Sequence, residues 1–93
     1  MENELKIILK EALKIQGDLF PDEQEETIDD VIHLYKKCND IEKKHLFDIE
    51  KEGLQLTKKL GHLNRNFDKT GEIKSHLENV DKVYGPILKK YDE

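Results

Sequence analysis

Two carboxylate-x-x-histidine spacings, Asp30-Val31-Ile32-His33 and Glu42-Lys43-Lys44-His45, are the arrangements in this chain best suited to chemistry. Residues three apart share a face of a helix, so each pair would present two ligands side by side, the half-site that occurs twice in di-iron bundles. Such a centre also needs inward carboxylates from two other helices, and the pattern places none inside. The expectation is no metal and no cofactor. His62 and His76 stand at no catalytic spacing from a nucleophile or acid and read as surface or seam-edge residues. Cys38, the single cysteine, falls on an apolar stripe and reads as a small buried hydrophobe rather than a thiol activated by Lys36 and Lys37. Without a phosphate loop, a cysteine pair or a nucleophile motif, the chain reads as non-enzymatic.

The charge pattern carries more functional content. Between Gly17 and Tyr35 stand seven acids, Asp18, Asp22, Glu23, Glu25, Glu26, Asp29 and Asp30, with no Lys or Arg among them. Residues 36–69 hold nine bases against six acids, so the net charge of -5 is unevenly spread. A negative end of this kind attracts a basic partner and speeds encounter at low salt. The plainer reading is a helix start whose acids suit the positive end of the macrodipole. Bases are interleaved with acids on every segment, which argues against direct nucleic-acid binding.

The elements that would position these groups are helices. Leu46, Ile49, Gly53, Leu56, Leu60, Leu63 and Phe67 alternate steps of three and four, and after Asp68-Lys69-Thr70-Gly71 the alternation resumes at Ile73, Leu77, Val80, Tyr84, Ile87 and Tyr91. That 3.5-residue period draws an apolar seam along each helix and predicts coiled-coil-like packing. Phe47 and Leu54 form a second row beside the seam, suited to a further neighbour or partner. Gly53 leaves a gap in the seam where another backbone would approach. Upstream, Leu5, Ile8, Leu9, Ala12 and Ile15 mark one face, with Ile7 and Leu13 widening it, and Gly17 ends that helix. Pro21 suits the first turn of the next, and Asp22 with Glu25 resembles a capping box. Gly85-Pro86 predicts a kink or a new start in the last helix.

The resulting expectation is an all-α fold of three to four helices, a bundle or antiparallel hairpin forming one domain, with helices over about residues 2–16, 22–38, 40–67 and 72–91. Asn39-Asp40 would separate the second and third. Yet no Gly or Pro lies between Pro21 and Gly53 and the heptad register continues across the junction, so residues 22–67 also fit one long helix, which would leave seam uncovered and favour a homodimer. At 93 residues, 35% hydrophobic and 40% charged, the chain suits helices with narrow apolar stripes. No stretch approaches the roughly 20 apolar residues of a membrane span, no secretory leader is evident at the start, and a lone cysteine fits a reducing, cytoplasmic setting. Two functions follow. In one the chain is a non-enzymatic protein-interaction module, a subunit or adaptor that shares its seams with a helical partner. In the other it is a small acidic inhibitor or antidote that blocks a basic site through Asp22, Glu23, Glu25, Glu26, Asp29 and Asp30. Short, acidic, lysine-rich helical chains of both kinds are similar to it in size and composition alone.

Overall fold

Punctuation residues decide where each helix stops. In the computed structural model, which describes residues 2–91, four α-helices follow one another as α1 (Glu2–Gln16), α2 (Pro21–Lys37), α3 (Asp40–Leu60) and α4 (Glu72–Tyr91). Gly17 ends α1 with φ of +67°, a conformation open to glycine at little cost, while its N–H donates to the Leu13 carbonyl at 3.0 Å. Pro21 opens α2, where its missing N–H is not needed. The expected cap by Asp22 and Glu25 does not form: Phe20 is the N-cap and no side chain caps it.

The capping box lies instead at the α2–α3 junction. Asn39 Oδ1 accepts the Glu42 N–H at 2.8 Å and Glu42 Oε1 accepts the Asn39 N–H at 3.0 Å. These two residues, which interrupt the apolar seam, are the signal that one helix stops and another starts. The long helix over residues 22–67 is therefore incorrect, and the homodimer expected from it loses its premise. The third helix is also shorter than expected. Gly61, at φ +86°, turns the chain after Leu60, and residues 65–67 form a single 3₁₀ turn. Leu60 is 39% exposed and Phe67 is 69% exposed, so the seam does not continue to Phe67. Asp68 then restarts helical structure, its carboxylate accepting the N–H groups of Ile73 and Lys74 at 3.3 and 2.8 Å. Pro86 begins no new element, since α4 runs unbroken from Glu72 to Tyr91.

Successive helices run up and down. Glu2 at the start of α1 pairs with Lys36 at the end of α2, and Glu11 near the end of α1 pairs with Lys58 near the end of α3. Leu5, Leu9, Ile32, Tyr35, Cys38, Leu46 and Ile87 form the main core, drawn from all four helices. On α3 the buried face is a broad arc, because the helix meets α1, α2 and α4: Leu54 and Thr57 are as inaccessible as Leu46 and Ile49. Ile7 and Ile15, assigned to the buried side of α1, face solvent. Among the described residues, no helix is long and apolar enough to cross a membrane.

Candidate functional site

The acidic run forms the outer face of α2. Asp22, Glu23, Glu25, Glu26, Asp29 and Asp30 are all exposed, while Ile28, Val31, Ile32 and Tyr35 face the interior. At 1.5 Å per residue the strip from Asp22 to Asp30 is about 12 Å long. The ion pairs among the described residues use Glu2, Glu11, Glu42, Glu52 and Glu72 and involve none of these six carboxylates or Asp18. Their mutual repulsion is left to solvent and counterions.

Apolar groups lie at the same end of the bundle. Phe20, beside the first acid of the run, is 76% exposed, and Ile15, at the end of α1, is also exposed. Leu60 and Phe67 belong to the other connection at that end, as the Glu11–Lys58 pair and a cavity shared by Gln16, Thr27 and Leu63 require. A large exposed aromatic next to a strip of charge is a typical anchor for a protein contact.

Phe47 and Leu54, the second row expected to face a partner, have different fates. Leu54 is only 7% exposed and packs inside the chain between α3 and its neighbours, so it is not a partner surface. Phe47 is half-buried against the main core and borders a groove with Tyr35, Asp40, Lys43, Lys44 and Asp48, in which both signs of charge occur. Asp30, His33 and His45 are exposed. Glu42 is committed to the α3 cap, to the Tyr91 hydroxyl and to Lys90 at 3.5 Å, and these hydrogen bonds, chiefly that from Tyr91, hold its carboxyl below the usual range. Cys38 is buried, its thiol donating to the Leu34 carbonyl at 3.3 Å, and burial pushes the thiol up.

A polar cluster between α3 and α4 carried no recognised signal in the sequence. His76, expected at a surface or seam edge, is 6% exposed because it fills the gap at Gly53. Its Nε2 would stand 3.1 Å from a Cβ on that glycine, so an imidazole rather than a backbone makes the close approach. His76 Nδ1 meets Glu52 Oε1 at 3.0 Å. Two turns further along α4, the Tyr84 hydroxyl donates to Glu50. Burial pushes the Glu50 carboxyl up, partly opposed by that hydrogen bond and by His76, and burial likewise raises the Tyr84 phenol well above its ordinary value. Glu50 and His76 both line a cavity of about 150 Å³. No protein family, curated protein or solved structure matches this chain.

Proposed function

We propose that the chain is a non-enzymatic protein-interaction module that engages a basic surface of a partner protein through the outer face of α2, with Phe20 as its apolar anchor. One observation carries this reading: seven exposed carboxylates without a paired base stand beside an exposed aromatic at one end of the bundle. Close like charges raise the local potential, and the arrival of a cationic partner relieves it.

Between the two forms of this function, the burial of the seams, which are exposed at Leu60 and Phe67 alone among the residues named, favours the second. Leu46, Ile49, Ile73 and Ile87 are consumed by the chain's own core, so a partner helix would have to displace them. The acidic face requires no such rearrangement. An inhibitor or antidote that covers a basic site on its target is therefore the form of the proposal best supported, and a cytoplasmic setting suits the free Cys38.

Charge reversal tests it. The variant Glu25→Lys, Glu26→Lys, Asp29→Lys alters exposed positions, and each unfavourable charge near the helix start costs about 0.3–1 kcal/mol, which leaves the fold intact. Affinity capture from native lysate, with mass spectrometry, should recover a protein partner with the wild-type chain at low salt. That partner should be lost near 1 M salt, where screening acts over roughly 3 Å, and be absent with the folded triple variant. If the variant captures the same partner equally well, the acidic face is only a solvated helix start.

A further inference from the structure

Each of the two connections at one end of the bundle carries an exposed aromatic, and the charges beside the two rings are opposite in sign. Phe20 stands in Asp18-Leu19-Phe20-Pro21-Asp22, with an acid two residues away on either side. Phe67 stands in Arg65-Asn66-Phe67-Asp68-Lys69, with a base at the same two places. Both rings and all four flanking charges are exposed, and no ion pair among the described residues includes any of the four. Asp68 does not offset the bases, since its carboxylate is turned to the N–H groups of Ile73 and Lys74. Local hydrogen bonds hold both segments. The Gln24 side chain donates to the Leu19 carbonyl at 2.9 Å in the first, and Asn64 Oδ1 accepts the Asn66 N–H at 2.9 Å in the second. Rings carried on an ordered backbone lose less freedom when a partner covers them.

Helix packing sets these two connections apart. α1 and α3 lie against each other, α2 packs mainly on α1, α4 packs mainly on α3, and α2 and α4 make no extensive contact. The connections leading into α2 and α4 therefore stand on opposite flanks, with the exposed Ile15 and Leu60 at the ends of α1 and α3 between them. Such an end is complementary to itself. A twofold axis perpendicular to the bundle, passing over Ile15 and Leu60, sets the acidic connection of each copy on the basic connection of the other and the apolar middle on its own image. We propose that this end of the bundle is a self-association surface for a second copy of the chain, where Phe20 with Asp18 and Asp22 meets Phe67 with Arg65 and Lys69 of the second copy, and the reverse. Charge selects this occupant. A basic protein would satisfy Asp18 and Asp22 while setting like charge on Arg65 and Lys69, an acidic one would do the reverse, and a second copy answers both. The chain measures 27 × 23 Å across its long axis, which allows an interface of roughly 1,000 Å² in all, at the low end for specific association. A weak, reversible dimer is the expected result. The inference does not rest on the reading of the α2 outer face, in which Arg65, Phe67 and Lys69 have no part. Phe20 belongs to both, so a docked copy would withhold it from a target protein.

Sedimentation equilibrium of the full chain, from about 10 μM to 1 mM in low salt and in about 1 M salt, tests it. A monomer–dimer equilibrium that stops at the dimer and weakens about tenfold or more at high salt is expected. Arg65→Glu with Lys69→Glu sets acid on acid, and Asp18→Lys with Asp22→Lys sets base on base. Each pair of substitutions should weaken the dimer about tenfold or more, although every altered position is exposed. Mixing the two double variants brings unlike charges together at all the flanking positions, so they should associate with one another more tightly than either does with itself. Phe67→Ala should also weaken the wild-type dimer. A chain that stays monomeric at about 1 mM in low salt would overturn the proposal. So would growth beyond a dimer, a dimer equally strong in both double variants, or a mixture that associates no better than its components. Capture of a target protein by the Arg65→Glu, Lys69→Glu variant reports on the α2 face alone, so failure of either reading is seen separately from failure of the other.

Discussion

Replacing Gly53 with alanine sets two effects of similar size against each other. Gly53 lies inside α3, where alanine is favoured over glycine by about 0.8–1 kcal/mol. The new Cβ would stand 3.1 Å from His76 Nε2 and 3.3 Å from Cε1, so the ring must retreat by a few tenths of an ångström. It has little freedom to do so. His76 is almost fully buried, and moving it stretches the 3.0 Å contact with Glu52. Overpacking of this kind costs about 1–3 kcal/mol, so Gly53→Ala should destabilise the chain by up to about 2 kcal/mol. For a domain of this size each kcal/mol moves the thermal midpoint by about 4–8 °C. The decisive measurement is a double-mutant cycle by urea denaturation. In a His76→Ala background the obstacle is gone, and the same glycine substitution should stabilise by about 0.8–1 kcal/mol, giving a coupling of about 1–3 kcal/mol. A coupling below about 0.5 kcal/mol, the ordinary error of additivity, would refute the close fit of imidazole to glycine.

The remaining stability predictions concern Glu50 and the ends of the seam. Burial raises the Glu50 carboxyl in the folded chain, so the folded state holds this proton more tightly than the unfolded one; the associated stability is full below the unfolded carboxylate range and is lost as pH rises through the raised folded value. Glu50→Gln should thus match wild type near pH 4 and exceed it near pH 8 in urea midpoint, and an equal offset at both would contradict a buried, titrating carboxyl. Leu46→Ala, at a fully buried position, should cost about 2–5 kcal/mol, whereas Leu60→Ala at the exposed end of α3 should cost less than about 1 kcal/mol; equal losses in a denaturant titration would reinstate the long seam.

What could be read from one sequence was whatever a single helix decides for itself. Gly17 and Pro21 act locally, and both ends of the first connection follow from them. The exposed acids of α2 were likewise legible, since they stand opposite that helix's own apolar stripe. The α2–α3 boundary was ambiguous because periodicity and capping gave opposing signals, and capping prevailed through Asn39 and Glu42. Leu63 and Phe67 kept the heptad register without keeping the helix, for one glycine at φ +86° redirects the chain ahead of them. The fit of His76 to Gly53 joins residues on different helices, and no pattern within either one contains it. Glu50 was hidden for a related reason: a charged residue beside Ile49 reads as solvated until the breadth of the α3 interior is known.

The break between α2 and α3 occupies only Cys38 and Asn39, and the apolar register on its two sides is shared. If both residues became helical, α1 and α2 would swing away from α3 and α4, and the same core could be rebuilt only with the complementary half of a second molecule. Such an exchanged dimer would contain every interhelical contact of the folded-back chain, so buried area does not choose between the two. The choice falls to local terms at the hinge. An N-cap contributes about 1 kcal/mol, and Glu42, the residue that completes the cap, is also held by Tyr91 and Lys90 from the last turn of α4. The end of the chain thus helps keep its middle bent, and with it the pairing of each half with its own partner rather than a neighbour's.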